Sequence, residues 1–200
     1  MVVSAVQQFA AGVVFAAAAG EILPGLKHSG ATGPVLLGGA LGVFVMLWVK
    51  ELEGRAKGPV GLMTAVGVDM LIDGLVLGLG FIAGAKEGLV LTIALTLEVL
   101  FLGVAVATEL AGENTSKRRV VAITAGLVLL TPVGALLAIP IAVLPASLLT
   151  GFFAFGLVAL LYLVTEELLV EAHEVPDRPW ITAMFFGGFL ILLMLEETLG

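Results

Sequence analysis

Seven times along the chain, an apolar run of about twenty residues is closed off by a short polar break. The runs fall at about 2 to 24, 33 to 50, 59 to 84, 88 to 110, 119 to 139, 143 to 165 and 179 to 195. Twenty apolar residues in a helix cover roughly 30 Å, the thickness of bilayer hydrocarbon, where a backbone must satisfy its own hydrogen bonds. The pattern therefore predicts an all-α fold, a polytopic membrane helix bundle of about seven transmembrane helices. Composition agrees, with 60% of residues apolar and only 12% charged. The breaks are short, so residues 1 to 200 are expected to form a single transmembrane domain. The longest break is the acidic stretch from Glu166 to Arg178, which contains His173, Pro176 and Asp177. The first run is expected to be a retained span, because Val2 to Pro24 has no basic residues ahead of it and is too long for the core of a cleavable leader.

Several function classes fall away at this stage. With no cysteine there are no disulfides, thiolate ligands or cysteine nucleophiles. The formal charge of -7 says little about partners, since most acids lie in short breaks or inside runs. Membrane lipid is the expected surrounding, and nothing in the sequence points to nucleic acid.

Basic residues set the expected orientation, because Lys and Arg near span ends are retained on the cytoplasmic side. Lys50, Arg55, Lys57, Lys117, Arg118, Arg119 and Arg178 fall on the face that carries the N-terminus, and only Lys27 and Lys86 on the other. The N-terminus is expected in the cytoplasm and, after an odd number of spans, the C-terminus outside.

An internal echo adds a ground plan. Phe9-Ala10-Ala11-Gly12, followed in the next run by Leu36-Leu37-Gly38-Gly39, is similar to Phe153-Ala154-Phe155-Gly156 followed by Phe185-Phe186-Gly187-Gly188. The first pair of helices starts from one side of the membrane and the second from the other, which makes an inverted repeat with a ligand site expected at mid-depth between the halves. Gly38, Gly39 and Gly42, and Gly74, Gly78 and Gly80, leave strips where helices can approach closely.

The third run holds the chemistry. Asp69 and Asp73 sit about ten residues from either end of it, at i and i+4 on one helix face, where two carboxylates repel unless protons or a cation lie between them. Glu98 lies near the middle of the fourth run, and no Lys or Arg occurs at comparable depth. Such acids are costly in hydrocarbon and mark ion paths by default. The plainer alternative has them protonated and hydrogen-bonded to helix carbonyls or to Thr64, Thr92, Thr96, Thr124 and Thr131. As a cation site, carboxylate and hydroxyl oxygens suit Mg2+, Mn2+, Ca2+ or Fe2+, and zinc tolerates them although it usually recruits imidazole or thiolate. The two histidines, His28 and His173, lie in breaks on opposite faces. Met63 and Met70 are placed to offer thioethers or simply to pack.

The order of these motifs resembles the ZIP (Zrt/Irt-like) divalent-metal transporters. Gln7-Gln8-Phe9-Ala10-Ala11-Gly12-Val13 leading to Glu21-Ile22-Leu23-Pro24 is similar to the family's second helix, which usually ends His-Leu-Leu-Pro. Asp69-Met70-Leu71-Ile72-Asp73-Gly74 is similar to the fourth-helix signature His-Asn-x-x-Asp/Glu-Gly, and Leu130-Thr131-Pro132-Val133-Gly134-Ala135 to the middle of the sixth. The resemblance covers helices two to eight of an eight-helix fold, without the first. It implies that Asp73 is the fourth-helix acid and that Asp69 stands in place of the histidine and Met70 of the asparagine. Counted back from Gly103, the fifth-helix ligand positions hold Thr96, Leu97, Leu100 and Phe101, and Glu98 falls one residue past Leu97, about 100° around the helix.

These readings predict a carrier for a divalent metal cation such as zinc, iron or manganese. Its metal site is expected from Asp69, Asp73 and Glu98, with Thr96 as a further oxygen and Glu21 on the outer pathway. The cation is the substrate, no prosthetic group is expected, and one bundle moves against the other to give alternating access. The alternative is a ZIP-like protein that transports nothing and serves as a sensor, assembly subunit or scaffold, with a partner supplying the missing helix. The resemblance implies a homodimer. No enzyme is expected: an intramembrane aspartyl protease needs its two aspartates on separate helices, and these share one.

Overall fold

A computed structural model describes residues 2–55, 59–112, 115–172 and 178–199. Each apolar run is helical, and seven helices are long and apolar enough to cross a membrane: Val3–His28, Thr32–Leu52, Met63–Ala83, Ala85–Thr108, Lys117–Ile141, Ala146–Leu168 and Pro179–Thr198. The chain is an all-α, multi-pass membrane helix bundle with no strand among the described residues.

In chain order the elements are α1 (Val2–Ala17), a π-turn (Ala18–Ile22), α2 (Leu23–His28), α3 (Thr32–Arg55), α4 (Pro59–Ala83), α5 (Ala85–Gly112), α6 (Lys117–Val128), α7 (Leu130–Ile141), α8 (Ala146–Leu163), a second π-turn (Val164–Leu168), α9 (Leu169–Ala172) and α10 (Pro179–Leu199). The break between α6 and α7 at Leu129 has a simple cause. Pro132 brings no N–H for the carbonyl of Val128, so the ladder is interrupted there and the fifth span is two helices end to end.

Packing is organised by glycines on facing helices. A methyl group at Gly12 would run into the carbonyl of Phe185, and one at Gly188 into that of Phe9, so α1 and α10 touch backbone to backbone. Phe15 adds tilted ring contacts to Phe185 and Phe189, with centroids 5.9 and 6.2 Å apart. Gly38 meets Gly151 in the same way between α3 and α8. Gly74 meets the carbonyl of Thr131, and Gly134 that of Leu71, between α4 and α7. Without a hydrophobic force between helices in lipid, close approach of this kind supplies the attraction.

The pairs α1–α10 and α3–α8 are those an inverted repeat requires: exchanging α1 with α8 and α3 with α10 turns one pair into the other. Each half also carries one π-turn, both with acids, Glu21 in the first and Glu166 and Glu167 in the second. Between the halves stand α4 and α5. The main hydrophobic cluster joins α1 and α8 to Ile72 and Val76 of α4 and to Leu91 and Leu95 of α5. A smaller cluster gathers Val66, Met70, Val106, Leu110, Val120 and Leu127.

The helical boundaries correct one expectation. The break predicted from Glu166 is still helix through Ala172, because the π-turn continues the spiral of α8 rather than ending it. His173, Pro176 and Asp177 lie outside the described residues, as does Lys57.

Candidate metal centre

Asp69, Asp73 and Glu98 are the three acids of the core, 3%, 1% and 0% exposed. Their burial follows from the two helices that hold them. Asp69 and Asp73 share the α4 face with Ile72 and Val76, which point into the main cluster, whereas Gly74 and Gly78 of α4 face α7. On α5, Glu98 follows Leu91 and Leu95 at helical spacing, so it too points into the main cluster.

Among the described residues, the charges acting on Glu98 are all carboxylates: Asp73, Asp69 and Glu167. Glu167 also acts on Asp73. Both oxygens of Glu98 and Oδ2 of Asp73 are buried with no hydrogen-bond partner. A buried oxygen left in this state is costly, and a buried carboxylate far more so, unless a proton or a cation is supplied. The threonine partners of the plainer alternative are not found at Glu98. Thr92 instead donates to the carbonyl of Gly88 at 2.6 Å, and Thr124 and Thr131 line a separate groove.

Glu167 is the residue that sequence reasoning missed. Read as part of a polar break, it sits on helix in the second π-turn, and its charge acts on Asp73 and Glu98. A π-turn inserts one residue and rotates the downstream helix by about 100°, and such insertions recur at functional sites. The available signal was the apolar Leu168-Leu169-Val170 after Glu166-Glu167, which continues the helical pattern.

Thr96 is not brought to this centre. Two residues from Glu98, it lies on the opposite side of α5 and lines a cavity of about 540 Å3 with Thr92, Val99 and Gly103, facing Thr124 and Thr131 of α6 and α7. Glu21 also stands apart. It is held half-buried in the first π-turn, at the end of the bundle away from the N-terminus, with Glu196, Glu87 and Lys86 as its charged neighbours. It lines a cavity of about 220 Å3 with Leu26, Ala83, Thr150 and Phe153.

Among the described residues that sequence singled out, neither sulfur nor imidazole joins the acids. Met70, fully buried, packs in the smaller cluster with Met63 beside it. His28 is exposed, and its Nδ1 lies 2.8 Å from the carbonyl of Pro24. Among the described residues, no three of His, Cys, Asp and Glu converge closely enough to enclose a metal ion in this conformation. At the N-terminal face, Lys50 of α3 forms an ion pair with Glu166 at 2.8 Å, next in sequence to Glu167, and lies 5.8 Å from the ring centroid of Tyr162.

Fold and site together define a multi-pass helical membrane protein with a carboxylate centre buried between the halves of an inverted repeat. Over 203 aligned residues the chain is 28% identical to Zinc transporter GufA of Myxococcus xanthus, a match spanning 90% of this chain and 78% of that protein. No protein-family model matches the chain.

Proposed function

We propose that the protein is a carrier for a divalent metal cation, bound at mid-membrane by Asp69, Asp73 and Glu98 with Glu167 beside them. The observation that carries this reading is the pair of buried carboxylates, Asp73 and Glu98, whose described charged neighbours are all acids and in which Oδ2 of Asp73 and both oxygens of Glu98 lack hydrogen-bond partners, with Asp69 buried one turn from Asp73. Similarity to a protein named as a zinc transporter supports a metal cargo. It also favours a carrier over an enzyme, and the reading is consistent with the ZIP resemblance of the sequence.

In this reading α4 and α5 present the cation, and the glycine-paired units α1–α10 and α3–α8 move relative to them to open the site to each side in turn. Glu21 and its acidic neighbours form the outer approach, with the N-terminus cytoplasmic and the C-terminus outside. The ion is cargo, and no prosthetic group is needed. The protein is taken to act as a homodimer. The repeat also suggests where a further helix from a partner would lie. The fifth span packs on α4, and the matching strip of α5, Thr92, Thr96, Val99 and Gly103, lines the 540 Å3 groove.

One observation favours a second reading, a ZIP-like sensor, assembly subunit or scaffold that moves no metal. No three described ligands close into a shell. Proteoliposomes loaded with a metal-sensitive dye separate the two. Influx of Mn2+, Fe2+ or Zn2+ above empty vesicles, abolished in Asp73→Asn/Glu98→Gln, is expected of a carrier. Absence of flux for every ion supports the second reading.

A further inference from the structure

The proposed site differs from an ordinary zinc site in the chemistry of its donors. Among the described residues, every charged neighbour of Glu98 is a carboxylate, contributed by α4 and by the second π-turn. The chain contains no cysteine and two histidines, of which the described one, His28, is exposed at the far end of α2. The methionines on the helix of the aspartates, Met63 and Met70, face the smaller cluster with Val106 and Leu110. Asp69 occupies the buried position, one turn from Asp73, at which a nitrogen donor would have changed the character of the site.

We propose that this is an oxygen-only filter whose natural cargo is a hard divalent ion of the Mn2+ type, with Asp69 as the residue that sets the preference. The inference rests on the carrier reading and adds selectivity to it. For identical ligands the intrinsic order of divalent ions still favours Zn2+ over Mn2+, so selectivity has to come from ligand type and geometry. Zinc gains most of its advantage from imidazole and thiolate in a four-coordinate shell. Carboxylates and water offer it less, and they suit ions that accept six or more oxygens. A site with several acids, whose Glu98 and Asp73 have only carboxylates among their described charged neighbours, removes the margin that lets zinc exclude manganese.

The test uses the full-length protein in detergent. Free Mn2+ gives a sharp electron paramagnetic resonance spectrum that disappears on binding, so titration gives the Mn2+ affinity and competition gives that of Zn2+. Wild type is expected to bind the two ions within about tenfold of each other. Asp69→His is expected to raise the ratio of Zn2+ to Mn2+ affinity by about tenfold or more. Asp69→Asn, which keeps an oxygen donor and the side-chain volume, weakens both ions and leaves their ratio unchanged. If Asp69→His does not fold, the wild-type ratio and that of Asp69→Asn still decide. Zinc bound about a hundredfold or more tighter than Mn2+ by wild type overturns the selectivity and leaves the carrier reading standing. Binding of neither ion overturns both.

Discussion

The third and fifth spans are built from almost the same material and end in opposite places. The windows that define them have mean hydropathies of 1.9 and 2.3, yet 61% of the first is buried and only 6% of the second. In water, the more apolar segment would take the core. In a bilayer the more apolar segment faces lipid at no cost, and the helix with polar side chains has to be enclosed because hydrocarbon cannot solvate them. Asp69 and Asp73 are what put α4 in the centre. Leu129, Leu136, Leu137 and Ile139 leave the fifth span on the rim.

The largest effect should come from removing what makes α4 different. Replacing two of the three mid-membrane acids, one from α4 and one from α5, as in Asp73→Asn/Glu98→Gln, is expected to reduce metal uptake to the level of empty vesicles while the protein still elutes as a folded species. Breaking the seam between the two spans comes next. Gly74→Ala would drive a methyl group into the carbonyl of Thr131, and its cost is expected near the upper end of overpacking, about 3 kcal/mol, read as a lower melting temperature in detergent. Outside the core the effects shrink. Glu21→Gln is expected to slow uptake by about threefold at low metal and low salt, an effect that fades as salt screens the approach. Lys50→Ala removes an ion pair whose side chains are about half exposed, worth about 0.5 kcal/mol in thermal stability. On the rim, Leu137→Ala should change stability by less than ~0.5 kcal/mol, and a larger loss would mean that the fifth span is covered by something besides lipid.

The sequence made the seven spans legible because length and hydropathy suffice for membrane helices. It also pointed to the inverted ground plan through the Phe-Ala-x-Gly echo, since Gly12, Gly38 and Gly188 of the echo sit at the backbone contacts of the two helix pairs. What stayed hidden depended on a single residue of register. The two π-turns have the composition of ordinary helix, so beyond the apolar Leu168-Leu169-Val170 that follows it, nothing marked Glu167 as a residue whose charge acts on Asp73. The charged pair Glu166-Glu167 looked like the end of a span. Thr96 and Glu98 show the same limit in reverse. They are two residues apart, Glu98 expected as a main ligand and Thr96 as a further oxygen, but two residues on a helix separate faces by about 200°, and only Glu98 faces the core.

The central claim is that a divalent cation sits between α4 and α5, and crystals grown with Mn2+ test it most directly by anomalous scattering. A peak bounded by Asp73, Glu98 and Asp69, with Glu167 adjacent, is predicted, and it should vanish in Asp73→Asn/Glu98→Gln. A well-ordered structure with no peak there, or with its peak at Glu21 and Glu196 alone, would contradict the claim.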